Sequence, residues 1–310
     1  MTRNRTGRDL VEIFGYAPDD LTPHVRTLWK LGGCPFLGKQ CTKENHDQSI
    51  IYGTCSVTSP TGDTIICPNR LYADKYQVLR KIVADCYGKN LPLFMFAEYV
   101  QKRAARGKVA VALGLNSGRE VKLAKSFSMD WVIAIIEDGK LQDYIGVEVQ
   151  SIDIKGNYRD AWHGYKNITA ESQSVPSSGH GLNWANVHKR LIPQIIRKGL
   201  VYSRSSLVSK GLYFIVPEIV YQKFEDVVGS DLPAATKPRK DTITVHTYGL
   251  GPEVAAWKQR ALQLIREVRF GLGDFADRFI SGPNLPSGQE LDNAVLSVLG
   301  IDRQHEKGQK

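Results

Sequence analysis

The chain has 310 residues, 42% of them hydrophobic, enough to bury a sizeable core in one large domain or two small ones. Its 41 Lys and Arg against 32 Asp and Glu leave a net charge of +9, which favours an anionic partner, nucleic acid being the commonest for a soluble chain. No run of eighteen apolar residues occurs, and the start Met1-Thr-Arg-Asn-Arg-Thr-Gly-Arg8 lacks an apolar stretch, so a membrane-spanning or secreted protein is not expected and a cytoplasmic one is.

In chain order, Arg3, Arg5 and Arg8 form a basic, frayed start that turns mildly apolar at Leu10–Phe14. Thr22-Pro23 reads as an N-cap followed by proline in the first helical turn, predicting a short helix through Val25–Lys30 to Gly32-Gly33. Cys34, Cys41, Cys55 and Cys67 follow in a segment rich in Gly, Pro and Asn with no strong amphipathic run. Such a segment gains little from burial alone, so four thiolates on one structural zinc or iron would supply what the core lacks. No pair has Cys-x-x-Cys spacing. Two disulfides are the competing reading, against which the lack of a secretory signal counts. Residues 1–90 are thus read as an N-terminal helical and metal-binding region, and 91–310 as a core carrying DNA-recognition loops.

Leu71, Tyr72, Tyr76, Leu79, Ile82, Val83 and Cys86 recur at helical spacing, which makes Cys86 a core thiol, and Gly88 ends the helix. A second helix is expected over Phe94–Arg106 and a strand over Lys108–Leu113; the glycines of 114–118 lack the Walker pattern and read as a turn. Two apolar strands then bear acids at polar positions: Asp130-Trp-Val-Ile-Ala-Ile-Ile-Glu137 and Tyr144–Ile154, joined by the hairpin signal Asp138-Gly139. Residues two apart share a strand face, so Glu148 and Gln150 project together, away from Val147 and Val149. Asp130, Glu148 and the Val149 carbonyl can offer a hard divalent cation such as Mg²⁺ three oxygens, and Glu120 is a further candidate acid. A solvated acid at a strand end is the ordinary alternative for each.

Beyond the hairpin, Lys155–Arg159 is a polar, basic stretch suited to a nucleic-acid backbone. Residues 169–183 read as a loop and Trp184–Lys198 as a helix kinked at Pro193, with Lys189, Arg190, Gln194, Arg197 and Lys198 outside its apolar stripe. Strands are expected at Gly211–Val216 and Thr242–Thr247, separated by a loop containing Lys237-Pro-Arg-Lys240. A long helix is expected from Pro252 to about Arg269, with Val254, Trp257, Leu262, Leu264, Ile265 and Val268 inward. The polar end, Asp302–Lys310, reads as disordered.

Four cysteines ahead of Asp130, the run Gly146-Val-Glu-Val-Gln-Ser-Ile-Asp153, Gly118-Arg-Glu-Val-Lys-Leu123 and Lys189-Arg-Leu-Ile-Pro-Gln194 together resemble the NotI family of type II restriction endonucleases. The resemblance implies a PD-(D/E)xK core, an α/β fold with a mixed central sheet flanked by helices, and a structural iron on the four cysteines. It implies Asp130 and Glu148 as Mg²⁺ ligands, Glu120 as a weaker candidate, and Gln150 where most of the wider superfamily has lysine. An amide can position water but not deprotonate it, so the metal would carry the activation. Implied partners are double-stranded DNA, cut at a GC-rich palindrome within a restriction-modification system, and a second copy in a homodimer. A non-catalytic metal-stabilised DNA-binding protein is the alternative from another class. An HNH-type nuclease built on His180, Asn183 and His188 is a third reading, disfavoured because those residues lack the strand pair such a site needs.

Overall fold

The structure is a computed structural model that describes residues 7–45, 47, 49–102, 107–124, 127–171, 175–283 and 285–300. The first part of the chain forms β1 (Leu10–Ile13), α1 (Pro23–Leu31), β2 (Gly33–Cys34), β3 (Lys39–Gln40), β4 (Thr54–Ser59), β5 (Gly62–Ile65), α2 (Ala73–Tyr87), β6 (Leu93–Met95) and α3 (Phe96–Gln101). The middle contributes β7 (Lys108–Gly114), β8 (Lys122–Ala124), β9 (Phe127–Ser128), β10 (Trp131–Glu137), β11 (Lys140–Val149), β12 (Ile154–Asn157), α4 (Arg159–Lys166) and β13 (Gly179–Leu182). Then come α5 (Trp184–Asn186), α6 (Ile192–Ser203), β14 (Leu212–Pro217), α7 (Glu218–Val228), β15 (Thr242–Leu250), β16 (Leu262–Gly271), α8 (Leu272–Ser281) and α9 (Gly288–Leu299).

The fold is mixed α/β, centred on a seven-stranded sheet in the order β16-β15-β14-β11-β10-β7-β6. β14 runs parallel to β11 and to β15, and β6 parallel to β7, while the remaining neighbours are antiparallel. Central strands covered on both faces need near-continuous apolar sequence, and Trp131–Ile135 of β10 and Leu212–Pro217 of β14 are buried throughout. On one face Tyr72 and Tyr76 pack against Trp131. On the other Phe224 of α7 stacks on Phe214, and Phe275 of α8 on Phe270. The three-stranded sheet β1-β4-β5 shares this core through Leu10, Ile13, Val57 and Ile65. Among the described residues, no helix is long and apolar enough to cross a membrane.

The largest departure from the sequence reading lies at residues 252–271, where the expected long helix is a loop followed by the edge strand β16. Leu262 is buried, but Val254, Trp257, Leu264 and Ile265 are exposed rather than inward. Its residues are good helix formers, yet pairing from Thr242↔Gly271 to Leu250↔Leu262 satisfies the open backbone of β15, and tertiary pairing overrides propensity. The helix expected from Phe94 to Arg106 is shorter: Leu93–Met95 is a strand, helix covers Phe96–Gln101, and 103–106 lie outside the described residues. Around Pro193 the helical turns run on without a break from Trp184 to Ser203, and a wide π-type turn over Val187–Leu191 just precedes the proline, where its missing N–H and its ring would disturb a regular α-helical ladder. Helices α4, α7, α8 and α9 stand where the sequence reading places no element. The expected terminal disorder falls on 302–310, outside the described residues.

Candidate active site

Asp130 sits at the bend leading into β10, and Glu148 near the end of the neighbouring strand β11, so the antiparallel pairing Trp131↔Val147 brings the two acids side by side. This approach requires a bare Cα on β7: a Cβ at Gly114 would stand 2.6 Å from the Asp130 carbonyl and 2.7 Å from the Trp131 ring. Asp130 Oδ2 accepts a hydrogen bond from Val149 N at 3.0 Å and another from Gln150 Nε2 at 3.4 Å. Gln150 therefore meets Asp130 directly, and at Val149 the group facing Asp130 is the N–H.

Glu148 is 2% exposed, and its Oε1 is buried without a hydrogen-bond partner. Its other oxygen accepts a bond from Lys198, which reaches down from α6 with 13% of its side chain exposed. Burial, then the neighbouring Asp130 charge, push the Glu148 carboxyl up to about 8, against the pull of Lys198. The protonated form is further favoured because it can donate to Asp130, whereas the ionised form leaves Oε1 bare. Lys198 corrects the sequence reading, which left it outside the apolar stripe. The signal that identifies it is its place one turn beyond Gln194 on the helix that covers Glu148, and only the packing of α6 on the sheet supplies that. Tyr202, one turn further on, stacks over the bare Cα of Gly146, where a Cβ would meet its ring at 2.1 Å.

Beside Gln150 opens a cleft of about 400 Å³ bounded by Lys43, Asn69, Asp153, Asn186, Arg190 and Gln194. It lies between the cysteine-bearing segment and the helical turn before α6. Asn186 is tied to Asp153 at 2.6 Å, while Arg190 and Gln194 are exposed. The Glu120 carboxylate pairs with exposed Lys122 at 3.0 Å. Of the HNH candidates, His180 is 2% exposed, with its ring nitrogens engaged by Ser178 Oγ at 2.7 Å and the Thr58 carbonyl at 2.9 Å, and the His188 side chain lies outside the described residues.

The four cysteines are all buried, on β2, just after β3, on β4 and two residues beyond β5. Cys67 N donates to the Cys55 carbonyl at 3.3 Å, and Lys43 N to Cys41 Sγ at 3.4 Å. Burial raises the Cys34 thiol, pushes Cys41 up to about 11 and holds Cys55 well above its ordinary value; the neighbouring thiols add to each shift. All four thus converge on one region. The set of three or more potential ligand atoms lying within 4.8 Å of one another is, among the described residues, a different one: Asp85, His246 and Glu267. Cys86, expected to be a core thiol, is partly buried against the core, 3.0 Å from the Tyr213 hydroxyl.

Comparison of the chain with protein-family models and with curated proteins finds no match.

Proposed function

We propose that the chain is a Mg²⁺-dependent, sequence-specific endonuclease with a PD-(D/E)xK core, a type II restriction endonuclease resembling the NotI family. The observation that carries this reading is the pair Asp130 and Glu148 beside a polar cleft, with Glu148 Oε1 buried and unpartnered. A buried carboxylate oxygen without a donor is a group for which a cation is the natural partner, so the residues present fit a hard divalent ion held by Asp130 and Glu148. When bound, such an ion neutralises charge developing on a phosphodiester and lowers the pKa of coordinated water.

The chain's own groups divide the remaining work. Gln150 orients Asp130 through its amide and can position a water by hydrogen bonding. Lys198 supplies from α6 the ammonium that β11 lacks, compensating the Glu148 charge. Lys43, Arg190 and Gln194 line the cleft with groups suited to phosphates and base edges, and the excess of basic residues favours double-stranded DNA. Cleavage of both strands calls for a homodimer on a palindrome, which the resemblance suggests is GC-rich. Cys34, Cys41, Cys55 and Cys67, all buried and near enough for the other three thiols to raise that of Cys55, would hold the structural iron or zinc that the resemblance implies, at the turn-rich wall of the cleft.

Purified chain with Mg²⁺ should cut plasmid DNA into discrete fragments, and sequencing of the fragment ends should return one short site. Asp130→Ala should abolish cutting while DNA binding persists. A smear without defined ends, or undiminished cutting by that variant, overturns the proposal. Binding without cleavage in Mg²⁺ or Mn²⁺ would point to a non-catalytic DNA-binding protein.

A further inference from the structure

A second group of ligand-type side chains lies on the opposite face of the sheet from Glu148. The strand register requires this: Glu148 pairs with Phe214 and Phe214 with Val245, so Glu148 and Val245 share a face and the next residue, His246, takes the other. There His246 stands directly across from Glu267 on β16, and α2 brings Lys81 and Asp85, one turn apart, over the pair. His246 is 0% exposed, and neither ring nitrogen has a hydrogen-bond partner. The edge of the Tyr213 ring, 5.5 Å away, holds the imidazole in place. Its Nε2 is aimed at the acids, 3.5 Å from Glu267 Oε2 and 3.8 Å from Asp85 Oδ2.

We propose that Asp85, His246 and Glu267 form a binding site for a divalent first-row transition cation, with Zn²⁺ as the probe, independent of the Asp130–Glu148 pair and of the cysteines. One imidazole and two carboxylates are a donor set that zinc accepts. Tetrahedral coordination with bonds of about 2.1 Å sets ligand atoms about 3.4 Å apart, close to the distances His246 already keeps from its two acids. Glu267 turns Oε1 to Arg269 at 2.7 Å and leaves Oε2 facing the imidazole. The Lys81 ammonium contacts the same two inward oxygens, Asp85 Oδ2 at 2.6 Å and Glu267 Oε2 at 3.6 Å. It therefore stands where a cation would stand, and with 38% of its side chain exposed it can swing out when one arrives. The bound ion would tie α2 to the edge strands β15 and β16.

Calorimetric titration of Zn²⁺ into the full chain tests this by difference, so that other metal sites cancel between variants. Wild type should bind one more equivalent than Asp85→Asn or Glu267→Gln, and Zn²⁺ should raise its melting temperature further than theirs. These acids are 25% and 34% exposed, so their replacements keep the test decisive even where a His246 replacement disturbs the core. Lys81→Met should bind the same equivalent about ten-fold more tightly, since a competing positive charge is gone. Equal stoichiometry in wild type and both acid variants overturns the proposal, as does weaker binding by Lys81→Met.

Discussion

Lys198 on α6 and Glu148 on β11 form a buried ion pair, with 13% and 3% of their side chains exposed. The pair rather than either residue alone sets the charge beside the cleft. Lys198→Ala leaves a buried carboxylate without its counter-ion, a change that Glu148 can soften by taking up a proton. A loss of about 1–3 kcal/mol in urea unfolding at neutral pH is expected, together with loss of DNA cleavage. Lys198→Arg should recover stability better than cleavage, because a planar fork does not reproduce a point charge.

The raised Glu148 carboxyl makes the stability of the metal-free protein depend on pH between about 4.5 and 8. A group held above its ordinary value of 4.5 contributes stability that is complete below that value and is lost as the pH rises through about 8. In chelator, the Glu148 contribution to the melting temperature of wild type should fall between about pH 5 and pH 8 and level off above that. Glu148→Gln, which cannot ionise, should show a shallower slope; parallel slopes would mean that Glu148 is not the group responsible.

Gln150 is half-buried and its side-chain amide donates to Asp130. Gln150→Ala should lower cleavage by about 10–100-fold, the usual cost of removing a group that orients a metal ligand. Its melting temperature should stay close to wild type, and a large drop would reassign the residue to stability.

Gly146 and Tyr202 are a matched pair. Gly146→Ala drives a methyl into the Tyr202 ring and should cost about 1–3 kcal/mol. Tyr202→Phe should be neutral or stabilising, because the hydroxyl it removes is buried without a partner. In a double-mutant cycle, Gly146→Ala should cost less on a Tyr202→Ala background than on wild type.

The cysteine reading has its own measurement. Chain purified without chelator should carry about one equivalent of iron or zinc, and Cys55→Ser should lose both that metal and much of its thermal stability. Undiminished metal content in that variant would remove Cys55 from the ligand set.

Local pattern in the sequence determined the strands β7, β10, β11, β14 and β15, the helix over the cysteine-to-Gly88 segment, and the nomination of Asp130, Glu148 and Gln150. Those features rest on periodicity and on short-range geometry, in which residues two apart share a strand face. Tertiary structure decided the rest. The segment 262–271 has helix-forming composition and became a strand only because β15 offered an unpaired backbone. Lys198 looks like any solvated helix lysine until α6 is laid across Glu148. His246 and Glu267 are 21 positions apart and meet only through strand register, with Asp85 added by a helix far earlier in the chain. Charge pairing and ligand convergence depend on distances across elements, and one-dimensional spacing carries no record of those distances until the sheet is assembled.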